Sequence, residues 1–247
     1  MRRSGRQVVV GSIVLAICVA TGVGSLVHPI HSSAGVWILI SAAVSAVVCV
    51  LWLAWPNRRL CAVSGVLFAL PVAWLALMPG RAVDREALRA TYGAALRGYV
   101  AAPYVWGGEN ARGIDCSGLV RRGWIDALTS TAVRRVDAGL MREAIAVWWH
   151  DCSARELARG YADRCRQVTS APSLHACDHN ALLPGDLAVT ANRAHVLIYL
   201  GDRAWISADP AAAAVIVDVS GRSANRYLDT PVDISRWQLL DQAPRER

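Results

Sequence analysis

The chain has 247 residues, 54% of them hydrophobic and 18% charged, with a mean hydropathy of +0.31. That balance is too apolar for disorder or for an ordinary soluble domain. All 26 basic residues are arginine, and five of them, with no acid, fall before residue 80, so the +7 net charge is not that of a nucleic-acid-binding polycation.

The first third reads as membrane. No Lys, Arg, Asp or Glu occurs from Gln7 to Asn57, nor from Leu60 to Gly80. Val8–Val27, Ala34–Trp55 and Leu60–Met78 are uncharged, mostly apolar runs of 20, 22 and 19 residues, against the roughly 20 that a bilayer requires. Three buried core helices would be the alternative, but soluble helices are rarely uncharged on every face for that length. A signal peptide is a second reading of the first segment alone, and two spans still follow it. Arg2, Arg3 and Arg6 precede the first segment, Arg58 and Arg59 lie between the second and third, and the His28–Ser33 connection carries no arginine. The positive-inside rule then puts the N-terminus in the cytoplasm and everything after Met78 outside it, as a multi-pass cell-membrane protein. Cys18, Cys49 and Cys61 fall in the spans and read as packing residues.

Residues 79–247 suffice for one domain with its own core. Leu88, Tyr92 and Leu96, spaced by four, predict a helix over 84–97, read as a linker between membrane and domain (80–97). Tyr99–Gly113 is loop-like. A helix is expected from Cys116 with Asp115 as N-cap, and Thr131 to about Arg166 reads as largely helical, followed by polar loop to Asn180. Strands are expected at Asp186–Thr190, His195–Leu200, Ala204–Asp209 and Val215–Val219. Helices first and antiparallel strands after give an α+β domain.

Two strings carry the chemistry: PYVWGGENARGIDCSGLV at 103–120 and LLPGDLAVTANRAHVLIYLG at 182–201. Cysteine alone is usually a small buried hydrophobe. Cys116, however, sits between Asp115 and Ser117-Gly118 at a helix start, where the dipole and free backbone N–H groups favour thiolate and offer an oxyanion site. His195 opens an alternating strand and is the natural base. His150, His175 and His179 lie in helical and polar-loop stretches without such a rigid mount.

Taken together, the YVWGG loop, DCSG, the PGD turn and HVLIY closely resemble the NlpC-type cell-wall cysteine peptidases, a papain-like family, over about residues 98–220. The resemblance implies a domain over 98–247 that cuts peptidoglycan stem peptides, typically at the amide between γ-D-glutamyl and the diamino acid. It implies Cys116 as nucleophile and His195 as base then acid, with Tyr104 lining the site. It also implies Asp115 and Ser117 holding the stem peptide, Asp115 at its free amino group, and requires no metal or other cofactor. The family's third polar residue, about twelve positions past the histidine, lands on Ser207, with Asp209 two residues on as the alternative. A hydroxyl orients an imidazole less firmly than an amide or a second imidazole does.

The 78 residues between Cys116 and His195 exceed a minimal member by roughly thirty, placing a helical insertion at about 136–179. It holds Cys152, Cys165 and Cys177, of which two could pair in an oxidising compartment. A metal site from Cys165, His175, Cys177 and His179 is a lesser alternative, because no C-x-x-C spacing occurs. Trp124, Trp148 and Trp149 read as helical core before they read as a sugar platform. The expected partners are stem peptides and, through the spans, the lipid bilayer. The rival functions are a catalytically weakened wall-binding scaffold, or a Cys–His amidase or acyltransferase on another substrate.

Overall fold

The computed structural model describes residues 4–30 and 32–241. The chain divides between Met78 and Pro79 into two compact units.

In the first unit, α1 (Gly5–Val27), α2 (Ser33–Ala54) and α3 (Arg58–Leu77) are each long and apolar enough to cross a membrane. Ser4 caps α1 through its hydroxyl, and the Asn57 side chain accepts from Arg59 N and Leu60 N to start α3. Val9, Ile17, Val48, Leu67 and Val72 point outward, as side chains facing lipid do. Cys49 does more than pack: its thiol donates to the Gly11 carbonyl at 3.3 Å, joining α2 to α1. Of the arginines that set the expected orientation, Arg2 and Arg3 lie outside the described residues.

The second unit is α+β. It begins with α4 (Arg85–Arg97), capped by Asp84, whose carboxylate accepts from Ala87 N at 3.0 Å. Leu88, Tyr92 and Leu96 on this helix are fully buried, so the element expected as a linker contributes to the domain core. A two-stranded hairpin, β1 (Glu109–Asn110) with β2 (Gly113–Ile114), leads into α5 (Cys116–Arg135), α6 (Ala138–Trp149) and the short α7 (Ala154–Ala158). A six-stranded antiparallel sheet follows: β3 (Cys165–Ala171), β4 (Leu187–Thr190), β5 (Val196–Gly201), β6 (Ala204–Asp209), β7 (Ala214–Val219) and β8 (Val232–Trp237), in the order β3-β8-β4-β5-β6-β7.

Strand alternation divides the core between the two faces. Val196 and Ile198 turn to the helices, where α5 brings Leu119, Val120 and Trp124. Leu197 and Tyr199 turn the other way, toward Trp205, Leu228 and Ile234. Trp124 stacks on Trp237 at 4.8 Å, with Tyr92 edge-on to Trp124 at 5.2 Å, binding α4, α5 and β8. Trp124 is thus core.

One expectation is corrected. Residues 165–171, read as the end of a helical stretch and polar loop, form β3, paired along its length with β8. Its side chains are mostly exposed (Arg166, Gln167, Thr169, Ser170), as befits an edge strand. That polarity hides the alternation a strand normally shows. The 136–179 stretch is therefore α6, α7, an edge strand and a loop.

Candidate active site

Asp115 organises the loop before Cys116. As N-cap its Oδ1 accepts from Gly118 N (2.7 Å) and Ser117 Oγ (2.9 Å), its Oδ2 accepts from Gly107 N (2.7 Å), and its own N–H donates to the Gly108 carbonyl (3.0 Å). One carboxylate thereby starts α5 and fastens the Gly107-Gly108 loop to it. A carboxylate has about four lone-pair directions, and three are spent inside the protein. The close packing explains the glycines: a Cβ on Gly118 would stand 2.1 Å from the Gly108 carbonyl oxygen, and one on Gly108 would stand 2.4 Å from that of Gly113. Glu109, on the same loop, pairs with the fully buried Arg121, which also donates to the Val147 and Trp148 carbonyls. The end of α6 is tied in this way to the loop before Cys116. Burial pushes the Glu109 carboxyl up to about 7, partly countered by Arg121.

Cys116 occupies the first position of α5 and is buried. Three backbone N–H groups act on the thiol: that of Val196, the residue after His195, then those of Ser117 and of Cys116 itself. These contacts favour thiolate, as expected at a helix start. Burial and the Asp115 charge outweigh them, and the thiol is pushed up to about 12. The expectation of a lowered thiol pKa is corrected by this: desolvation exceeds what three donors and a helix terminus return.

His195 stands immediately before β5, at the closing end of the β4–β5 hairpin. Its N–H donates to Thr190 Oγ1 (3.0 Å) and its carbonyl accepts from Thr190 N (3.0 Å), so the backbone is clamped. The imidazole is buried and its pKa falls to about 4, by desolvation first, with Asp209 opposing and Arg226 assisting the fall. One face of the ring lies on Tyr227, with centroids 3.7 Å apart and planes 14° from parallel. His195 Nε2 has no hydrogen-bond partner among the described residues.

The two third-residue candidates differ. Ser207, on β6, is buried with its Oγ unpartnered among the described residues. Asp209 has its oxygens engaged: Oδ1 accepts from Ala211 N (2.6 Å) and Ala212 N (3.3 Å), and Oδ2 from Asn225 Nδ2 (2.8 Å). Asp209 acts on His195 through its charge. Tyr104 is half-buried, and its hydroxyl is pushed up to about 12 by burial first and then by Cys116, Asp115, Tyr227 and Asp209. Tyr104, Asp115, Tyr227 and Asp209 therefore share one neighbourhood with the candidate nucleophile. Sequence reasoning missed Tyr227 and Asn225, because nothing in SANRYLDT marks a loop that folds back over the histidine.

The other candidates disperse. His175 Nδ1 meets Ser220 Oγ and accepts from Gly221 N, His179 faces Trp205, Cys165 is buried in the helix-side core, and Cys177 packs on the opposite face. The four suggested metal donors do not gather. All seven cysteines are free thiols, with Cys152 and Cys165 in the same buried cluster.

Residues 101–230 match the NlpC/P60 family. No curated protein matches the chain. Among solved structures, NlpC2 from Trichomonas vaginalis is similar at 16% identity and TM-score 0.40, over 63% of this chain and 49% of its own. The peptidoglycan hydrolase RipB from Mycobacterium tuberculosis is similar at 20% identity and TM-score 0.40, over 66% and 70%. The NlpC/p60 domain of the peptidoglycan hydrolase SagA is 24% identical with TM-score 0.35, over 60% and 97%. The chain spans about half the length of NlpC2.

Proposed function

The chain belongs to the NlpC/P60 family, and from that premise we propose that it is a membrane-anchored cysteine hydrolase cutting peptidoglycan stem-peptide amides, of the γ-D-glutamyl–diamino acid endopeptidase type. The observation that carries the reading is the buried Cys116 at the first position of α5, with the N–H of Val196, the residue after the buried His195, among the groups that favour its thiolate. The thiol and imidazole both rest neutral, the one pushed up and the other down. Catalysis then starts with the Cys116 proton passing to His195 as sulfur attacks the amide carbonyl. The helix-start N–H groups stabilise the oxyanion. His195 returns the proton to the leaving amine, and water, deprotonated by the same imidazole, hydrolyses the thioester. Tyr104 lines the cleft, and the remaining lone pair of Asp115 Oδ2, beside Ser117, would receive a substrate amine.

Arg6, Arg58 and Arg59 flank the apolar helices so that the second unit faces outward, where cell wall is found. No metal or cofactor is needed for these steps. Cys116→Ala is expected to abolish release of stem fragments from purified sacculi, and unchanged release would sink the assignment. The unpartnered Ser207 hydroxyl favours one rival, a weakened wall-binding scaffold. Thiol labelling separates the two: Cys116 of a working enzyme is alkylated several-fold more slowly after His195→Ala, and that of a scaffold equally slowly in both.

A further inference from the structure

Neither polar candidate bonds the imidazole: Ser207 Oγ and His195 Nε2 are both unpartnered among the described residues, and Asp209 is engaged elsewhere. The ring is nonetheless held in a defined plane against another ring. We propose that Tyr227 is the positioning residue of His195, fixing the imidazole by stacking where a hydrogen bond from a third polar side chain is missing. The proposal rests on the reading of His195 as catalytic base.

The mount of Tyr227 is itself well built. The residue lies in a short 3-10 turn, Arg226–Leu228, capped by Asn225. Asn225 Oδ1 accepts from Tyr227 N at 3.0 Å, while its Nδ2 donates to Asp209 Oδ2 (2.8 Å) on β6 and to Asp218 Oδ2 (2.7 Å) on β7. One asparagine thus pins the turn to two strands of the sheet. Arg226 lies over the Tyr227 ring, 4.8 Å from its centroid, and donates to the tyrosine hydroxyl at 2.9 Å. Asp209, the alternative third residue, serves the imidazole from a distance in this arrangement, by anchoring the turn that carries the stacking ring.

The same ring excludes water from His195, which keeps the base neutral into the acid range. The groups acting on the imidazole from its surroundings are Asp209 on β6 and Arg226 on the turn, opposite in sign, with Tyr227 against its face. Cys116, Asp115 and Tyr104 complete the neighbourhood on the helix side. Removing the phenol ring exposes the imidazole without removing either charge, so the imidazole should titrate nearer the ordinary histidine range.

The test uses the full chain in detergent micelles, with Tyr227→Phe, Tyr227→Leu and Tyr227→Ala. Tyr227→Leu fills much of the same volume and guards against loss of fold in the alanine variant. Tyr227→Phe keeps the stack and should hold kcat within about twofold. Tyr227→Leu and Tyr227→Ala should lower kcat about tenfold or more through misorientation, with KM little changed. In Tyr227→Ala the acid limb of the rate should also move upward from near 4 by more than about one unit toward ordinary histidine behaviour. A purely structural role would reduce the amount of folded enzyme and leave that limb in place. Histidine NMR titration in a Cys116→Ala background reads the same displacement without turnover, so the result stands even if the hydrolase reading fails. Unchanged kcat and unchanged His195 titration in Tyr227→Ala would overturn the proposal, as would a phenylalanine variant as impaired as the alanine one.

Discussion

The β4–β5 hairpin has a buried polar cluster at each end, and the two are built on opposite principles. Before β4, Asp186 accepts from Arg236 Nε (2.6 Å) and Nη2 (2.7 Å) and from Leu183 N (2.9 Å), so each carboxylate oxygen is occupied. Before β5, His195 Nε2 and Ser207 Oγ are buried without partners, and the nearby thiol and imidazole are both held neutral by burial. Buried polar groups are matched almost everywhere in native proteins, and each orphan costs about 1–3 kcal/mol. The Asp186 end secures the PGD turn to β8. The His195 end leaves its polar groups unsolvated and unmatched, at a cost in stability.

The largest effect should come from breaking the saturated end. Asp186→Ala strands Arg236 in the core and is expected to cost about 3–5 kcal/mol, read as loss of the near-ultraviolet tryptophan dichroism on heating. A cost below about 1 kcal/mol would erase the contrast between the two ends.

At the unsaturated end, pH is the probe. With His195 at about 4 in the fold and about 6.5 unfolded, the unfolded chain binds more protons between those values. Stability therefore falls as pH is lowered from about 6.5 to 4, by up to ~3 kcal/mol, and His195→Gln should remove that part of the acid sensitivity. Cys116 completes the picture at alkaline pH: with its thiol near 12, folding loses stability above the ordinary thiol range of ~8.5. Alkylation of Cys116 should go on rising there, and a plateau from acid to neutral pH would indicate an ion pair instead.

Gly118→Ala tests the loop that joins Asp115 to the helix. Its methyl meets the Gly108 carbonyl at 2.1 Å, so the loop must shift, at about 1–3 kcal/mol and with at least a roughly tenfold fall in hydrolysis from misplacement. The smallest loss belongs to Ser207→Ala, because a hydroxyl without a partner has no bond to lose. Removing this buried orphan should leave stability unchanged or raise it, by up to about 1–3 kcal/mol, with turnover within about twofold. A tenfold fall in turnover would show Ser207 orienting the imidazole in the working enzyme.

Much of this was legible in the residues. Uncharged runs of span length marked the three long apolar helices, the 88/92/96 spacing marked α4, and the DCSG and HVLIY strings placed Cys116 at a helix start and His195 beside a strand. The rest depended on tertiary context. β3 is an edge strand with a polar outer surface, so no alternation announced it. The thiol pKa turned on how deeply loop and sheet bury Cys116, which helix-start arguments alone do not reveal. Tyr227 sits 32 residues beyond His195 and meets it only because Asn225 ties its turn to Asp209 and Asp218.

The most direct test of the central assignment is digestion of defined muropeptides by the full chain in 18O-labelled water, followed by mass spectrometry. A hydrolase working through Cys116 should split the stem between γ-D-glutamyl and the diamino acid and leave one 18O in the new carboxylate, with no product from Cys116→Ala. Intact muropeptides, unlabelled transfer products, or equal cleavage by Cys116→Ala would contradict it.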